Sequence, residues 1–210
     1  DGTSTATNLP LQWDGTSGQN IVWKVAIPYS GHSSPIIWDD RVYLTGADEA
    51  KSRRMLMAFD RQSGKLLWEV DVEDAPLEKK HKLNSWASGT PATDGKLIYV
   101  TFLNEKEMLV AAYDRDGHEK WKVKPGVFSS VHGYCSCPVV FEDTVIVNGD
   151  HDGDAYLVAL ERKTGRTVWK TPRENKTRSY CTPIIRDLGG RTQMILSRSK
   201  CVASYDPRNG

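Results

Sequence analysis

Four groups of residues have the types and spacing to do chemistry. Cys135-Ser136-Cys137 puts two thiols on one face of an extended segment, because side chains alternate along a strand, and Cys181 stands in the corresponding segment of the next unit. Such a set suits redox cycling or a soft metal. Asp150-His151-Asp152-Gly153-Asp154, with Glu161 at the twelfth position, spaces oxygen donors as a calcium loop does. His32 and His132 lie shortly before two of the chain's Pro residues and are candidate nitrogen ligands. Trp86, Tyr134, Arg178 and Tyr180 join these histidines as stacking faces and a planar cation, a composition suited to a small ligand or a peptide.

Each group has a competing reading as plain structure. A calcium loop of the helical type needs Gly at its sixth position, where Ala155 stands, and flanking helices that the sequence does not encode. We read 150–154 as a hairpin turn. No acid or Cys accompanies His32 and His132 at ligand spacing, so no metal site is expected there. The Cys residues read as small side chains in a crowded inner strand; the disulfide state of Cys135, Cys137, Cys181 and Cys201 stays open. No nucleophile elbow, phosphate loop or metalloprotease motif is present, so no catalytic residue is assigned.

The elements that hold these residues emerge from an internal repeat. Ala58-Phe59-Asp60 leads through Gly64 to Trp68, Ala112-Tyr113-Asp114 through Gly117 to Trp121, and Ala159-Leu160-Glu161 through Gly165 to Trp169. A fourth copy runs from Ser204 to Gly210. Upstream of each copy comes Ser34-Pro35, Thr90-Pro91, Cys137-Pro138 or Thr182-Pro183, with Pro-to-Pro spacings of 56, 47 and 45 residues. Between the markers lie short β-forming runs split by Asp/Gly turns. The only helix-compatible stretch, 73–82, is polar all round and contains Pro76; we read it as a solvated loop. The predicted fold is all-β: a β-propeller of about four four-stranded antiparallel blades, at 33–72, 87–125, 135–172 and 180–210. In each, Gly64, Gly117 or Gly165 takes the positive φ of the turn. The acids Asp60, Asp114 and Glu161 accept its backbone N–H groups. Trp68, Trp121 and Trp169 pack between sheets and bury on the order of 200 Å² each. Trp23 sits in Ile21-Val22-Trp23-Lys24-Val25, which matches Leu66 to Val70 and is expected to be a closing outer strand.

This Ala-x-Asp-x-x-Ser/Thr-Gly-x-x-x-Trp unit resembles the tryptophan-docking repeat of the quinoprotein-like (PQQ-type) propeller family, including quinoprotein alcohol dehydrogenases and the propeller lipoprotein of outer-membrane β-barrel assembly. The resemblance covers the chain from about Leu11 to Gly210 and implies a periplasmic or secreted location. Either 21–25 closes a ring of the chain's own four blades or, as the eight-bladed rings implied by the resemblance favour, two copies associate through blade edges or by exchanging 21–25. Innermost strands would then place His32, Trp86, His132, Tyr134, Arg178 and Tyr180 at one mouth of a central channel. The expected function is a binding or scaffold module for a protein, peptide or small ligand, without a cofactor. The alternative is a fragment of a dehydrogenase holding PQQ with calcium; the adjacent Cys pair and calcium-binding set of such enzymes are not found here.

Composition narrows the partners. A net charge of +1 offers no electrostatic reason to expect nucleic acid. No apolar run approaches the roughly 20 residues of a spanning helix. No leader is visible, but the first residue is Asp1 and not Met, so this decides nothing about location.

Overall fold

The computed structural model describes residues 5–210. Fifteen strands form four antiparallel sheets. Blade 1 contains β1 (Ile36–Trp38), β2 (Arg41–Asp48), β3 (Arg53–Asp60) and β4 (Leu66–Asp74). Blade 2 contains β5 (Ala92–Thr93), β6 (Leu97–Asn104), β7 (Glu107–Asp114) and β8 (Glu119–Val127). Blade 3 contains β9 (Val139–Phe141), β10 (Thr144–Gly149), β11 (Tyr156–Glu161) and β12 (Thr167–Pro172). Blade 4 has three strands: β13 (Ile184–Leu188), β14 (Arg191–Ser197) and β15 (Val202–Tyr205). Within each blade, strands pair in chain order from inner to outer edge.

The core lies between blades. The second and third strands are apolar on both faces, as in Met55-Leu56-Met57-Ala58-Phe59, because each sheet is covered on two sides. Alternation distributes these side chains. Tyr43, Leu56 and Ala58 meet Ile98, Val100 and Ala111 of blade 2. Tyr99, Val110 and Ala112 meet Val145, Val158 and Leu160 of blade 3. Ile146, Leu157 and Ala159 meet Met194 and Leu196 of blade 4. The other face of blade 1, through Val42, Met57 and Phe59, is covered by Trp23, Ile27 and Tyr29.

One joint recurs between blades. Trp68 Nε1 donates to the Arg115 carbonyl at 2.8 Å, Trp121 Nε1 to Arg162 at 2.7 Å, and Trp169 Nε1 to Pro207 at 3.1 Å. Each ring lies on the glycine of the next blade's turn, at Gly117, Gly165 and Gly210. A Cβ on Gly165 would come within 2.7 Å of the Trp121 ring, and φ there is +74°, so both the contact and the backbone require glycine. The register slips just before each tryptophan: Ala58 faces Trp68 but Phe59 faces Leu66, and blades 2 and 3 repeat the slip. This bulge turns the indole out of its own sheet and toward the neighbour.

Within one copy, Ile21–Val25 makes no ladder with any described strand. Trp23 enters the same joint on blade 1: its Nε1 donates to the Arg61 carbonyl at 2.8 Å and its ring lies against Gly64. Two expectations for 73–82 are corrected. Glu73 and Asp74 extend β4. The loop after them is anchored, because the Arg54 and Glu78 side chains form a buried ion pair at 2.6 Å. Arg54 also donates to the carbonyls of Ala75 and Pro76.

Candidate functional site

The segments that lead into β5, β9 and β13 meet on one side of the blades and carry most of the predicted surface residues. His132 is the centre. Its ring lies 5.8 Å from Tyr180 and 5.1 Å from His81, both edge-on. The Tyr180 hydroxyl is hydrogen bonded to Ser130 Oγ. Arg178 pairs with Asp152 through its guanidinium and its backbone N–H. Asn84 Nδ2 donates to the His132 carbonyl at 2.7 Å, joining this group to the 75–91 insertion. There Trp86 Nε1 donates to the Glu78 carbonyl at 2.7 Å, and Lys80 Nζ stands 4.2 Å above the Trp86 ring. Burial pushes the Glu78 carboxyl above its ordinary value, against the pull of Arg54.

Two predicted residues stand apart. Tyr134 is a core residue, 5% exposed and packed edge-on against Phe128 at 4.9 Å, so it cannot line a ligand surface. The irregular segment before β9 turns Tyr134 inward onto Phe128, and burial raises its hydroxyl pKa. His32 is exposed; its backbone N–H donates to the Ala87 carbonyl at 3.0 Å, which places it beside Trp86 without a ring contact. Sequence reasoning did not single out Ser130, and it held Lys80 and His81 only as part of the 73–82 loop, whose extra length in the 56-residue first Pro-to-Pro spacing was the available signal.

The insertion also forms one wall of an open cleft of about 840 Å³. Pro76 to Lys79 face the β6–β7 turn and Lys124 across it, and Ser129 and Ser130 join it to the His132 group. Leu77, Leu103 and Phe128 supply its apolar lining.

The remaining candidates are structural in their contacts. Asp150 is fully buried between Arg173 at 3.3 Å and Arg198 at 3.1 Å. Asp152 faces Arg178, and Asp154 faces Lys176 at 2.7 Å. All three carboxylates of the calcium-like stretch thus have cationic partners, and the stretch connects β10 to β11. Among the described residues no three His, Cys, Asp or Glu side chains converge as metal ligands. Cys137 belongs to an inter-blade ladder. Ser34 N–H donates to Thr90 Oγ1, Thr90 N–H to Cys137 Sγ, and Cys137 N–H to Thr182 Oγ1, at 3.0, 3.3 and 3.1 Å. The thiol stands where its neighbours use hydroxyls. Burial, and then the nearby Cys137 and Cys181, push the Cys135 thiol up, the reverse of what a thiolate nucleophile needs.

Stacked antiparallel sheets locked by Trp–Gly joints define a β-propeller of the quinoprotein-like repeat class. Residues 52–210 match the family of the outer membrane protein assembly factor BamB, and the chain belongs to that family. It is similar to BamB from Moraxella catarrhalis, with 20% identity and a TM-score of 0.58, over 90% of this chain and 53% of that one. It is also similar to the quinohemoprotein alcohol dehydrogenase ADHIIG from Pseudomonas putida HK5, with 19% identity and a TM-score of 0.52, over 71% of this chain and 22% of that one. A europium-containing methanol dehydrogenase gives 17% identity and a TM-score of 0.52, over 70% and 25%. The chain thus spans about half of the BamB structure and about a quarter of the dehydrogenases, and these likenesses establish the fold alone. No curated protein matches the sequence.

Proposed function

We propose that this protein is an extracytoplasmic propeller module that binds an extended polypeptide across the surface formed by Trp86, His81, His132, Tyr180 and Arg178 and the adjoining cleft. The observation that carries the reading is the continuity of this surface: inter-strand connections and the 73–82 stretch bring aromatic rings and imidazoles into contact, with the Arg178–Asp152 pair two residues from Tyr180. Aromatic and arginine side chains are the types that dominate binding energy in protein interfaces. Membership in the family of an outer membrane assembly factor supports the location and the non-enzymatic role. Raised thiol pKa and fully partnered acids give no support to a redox function.

Peptides selected from a random library against this protein test the reading. His132→Ala and Arg178→Ala are expected to weaken their binding by about tenfold or more each, with little change in melting temperature, since the Arg178–Asp152 pair is about one-third exposed and worth about 1 kcal/mol or less. Selected peptides that bind both variants as tightly as the parent would sink the proposal.

A further inference from the structure

We propose that Arg173 and Arg198 bind a small, weakly hydrated monovalent anion, a halide or nitrate, where blades 3 and 4 meet. Three strand ends converge there: Asp150 follows β10, Arg173 follows β12 and Arg198 follows β14. All three side chains are withdrawn from water, with exposures of 0%, 1% and 7%. One carboxylate serves two guanidiniums and holds neither closely. Arg173 meets Asp150 through Nε at 3.3 Å and Nη2 at 3.4 Å. Arg198 meets it through Nε at 3.1 Å and Nη2 at 3.4 Å. Charge-assisted N–H···O bonds are ordinarily about 2.7–2.9 Å long. Arg198 Nη2 also donates to the Asn175 carbonyl at 3.3 Å. Arg173 Nη1 is buried and donates to no acceptor among the described residues.

Two guanidiniums against one carboxylate leave a surplus of positive charge inside the fold. Neighbouring acids do not cancel it. Asp152 is taken by Arg178, Asp154 by Lys176 at 2.7 Å, and Glu174 is exposed. The Tyr205 ring, 4.6 Å from Arg173 Cζ, presents a π face that attracts the cation without neutralising it. Surface lysines are screened by water, but a buried charge without a counter-charge is costly. Arg54 is the comparison: it is equally buried, and it has Glu78 to itself and two carbonyls besides. Burial pushes the Arg173 guanidinium down and the Asp150 carboxyl up, so desolvation is the largest cost at this site. An anion that sheds its water easily is therefore favoured over fluoride or sulfate. The sealed position of Arg173 admits a free ion and not the carboxylate of a second chain.

Melting temperatures in sodium bromide and sodium fluoride at equal ionic strength test the site. Salts that act only through the solvent stabilise in the order fluoride above bromide, because strongly hydrated anions are excluded from the protein surface. An anion held by Arg173 and Arg198 reverses that order. Bromide is expected to raise Tm by about 2–4 °C over fluoride, with a gain that saturates as its concentration rises. Arg173→Met leaves Asp150 paired one to one with Arg198, and Arg198→Met leaves it paired with Arg173. Each variant is expected to return to the fluoride-first order. Lys200→Ala, which removes an exposed cation two residues from Arg198, is expected to keep the bromide-first order. A fluoride-first order in the parent overturns the site whatever the variants do. So does a bromide gain that both methionine variants retain, since the anion would then be held elsewhere.

Discussion

At the scale of single residues, the joint between blades is the chemistry this sequence invests in most. An indole N–H, a carbonyl and a glycine meet in the same way at Trp23–Gly64, Trp68–Gly117, Trp121–Gly165 and Trp169–Gly210. Gly165→Ala should cost about 1–2 kcal/mol for the left-handed backbone and about 1–3 more for the collision with Trp121. Gly189 has φ +59° and nothing within 4 Å of a would-be Cβ, so Gly189→Ala should carry the backbone cost alone. Urea unfolding of both variants isolates the indole contact as their difference. The turn acids add a pH dependence. Burial pushes Asp114 up, but Lys120 and the N–H groups of His118 and Asp116 outweigh it and hold the carboxyl well below its ordinary value. A lowered folded-state pKa means stability present above the unfolded value near 3.8 and lost as pH falls below it. Asp114→Asn is therefore expected to flatten the acid limb of a melting-temperature profile; an unchanged acid limb would contradict this role.

At the scale of elements, the sequence exposed what repeats and concealed what does not. Gly64 and Trp68 recur with a fixed spacing of four in blades 1 to 3, and a fixed spacing reports a fixed geometry, so blades and turns could be read directly. The bulge before each tryptophan was hidden, because one unpaired residue leaves no mark in composition. The 73–82 stretch was read as solvated for a related reason: it occurs once, and its charges look like a solvated face. Only the fold reveals that Arg54, fully buried, reaches Ala75, Pro76 and Glu78. Tyr134 failed in the opposite direction, since its position relative to the marker suggested the mouth while the irregular segment before β9 turns it into the core. Removing one member of a buried ion pair costs about 3–5 kcal/mol because the other charge stays desolvated. Arg54→Met should therefore release the insertion and make Lys79, Lys80 and Lys82 rapid trypsin sites, whereas Glu78→Gln, which leaves Arg54 its two carbonyls, should cost less and cleave more slowly. Equal protection of both variants would show that the ion pair does not hold this element.

At the scale of the whole molecule, the joints have a direction. Each blade lends a tryptophan from its outer strand to the following blade, while the following blade returns an arginine to the preceding β1–β2-type turn, as Arg115 does to Asp39 and Asp40. Among the described residues, strand pairing is incomplete at two places. Trp23 sits in the socket of blade 1 without belonging to a sheet, and β15 pairs only with β14, leaving Val202 71% exposed at its edge. Bare edges recruit strands. The register of blades 1 to 3, in which Ala58, Ala112 and Ala159 face the tryptophans, would set Ser204 opposite the indole of an incoming strand. Ile21 to Val25 has that pattern and already holds its indole in place. Two copies are therefore expected to associate, each offering its 21–25 segment to the other's β15, with light scattering giving twice the chain mass across a concentration series. Trp23→Ala should shift that equilibrium toward monomer without unfolding blades 2 and 3, whose cores it does not touch. A parent chain that stays monomeric, with β15 amides exchanging as fast as exposed loops, would mean that the edge is tolerated open and that Trp23 serves only to cover blade 1.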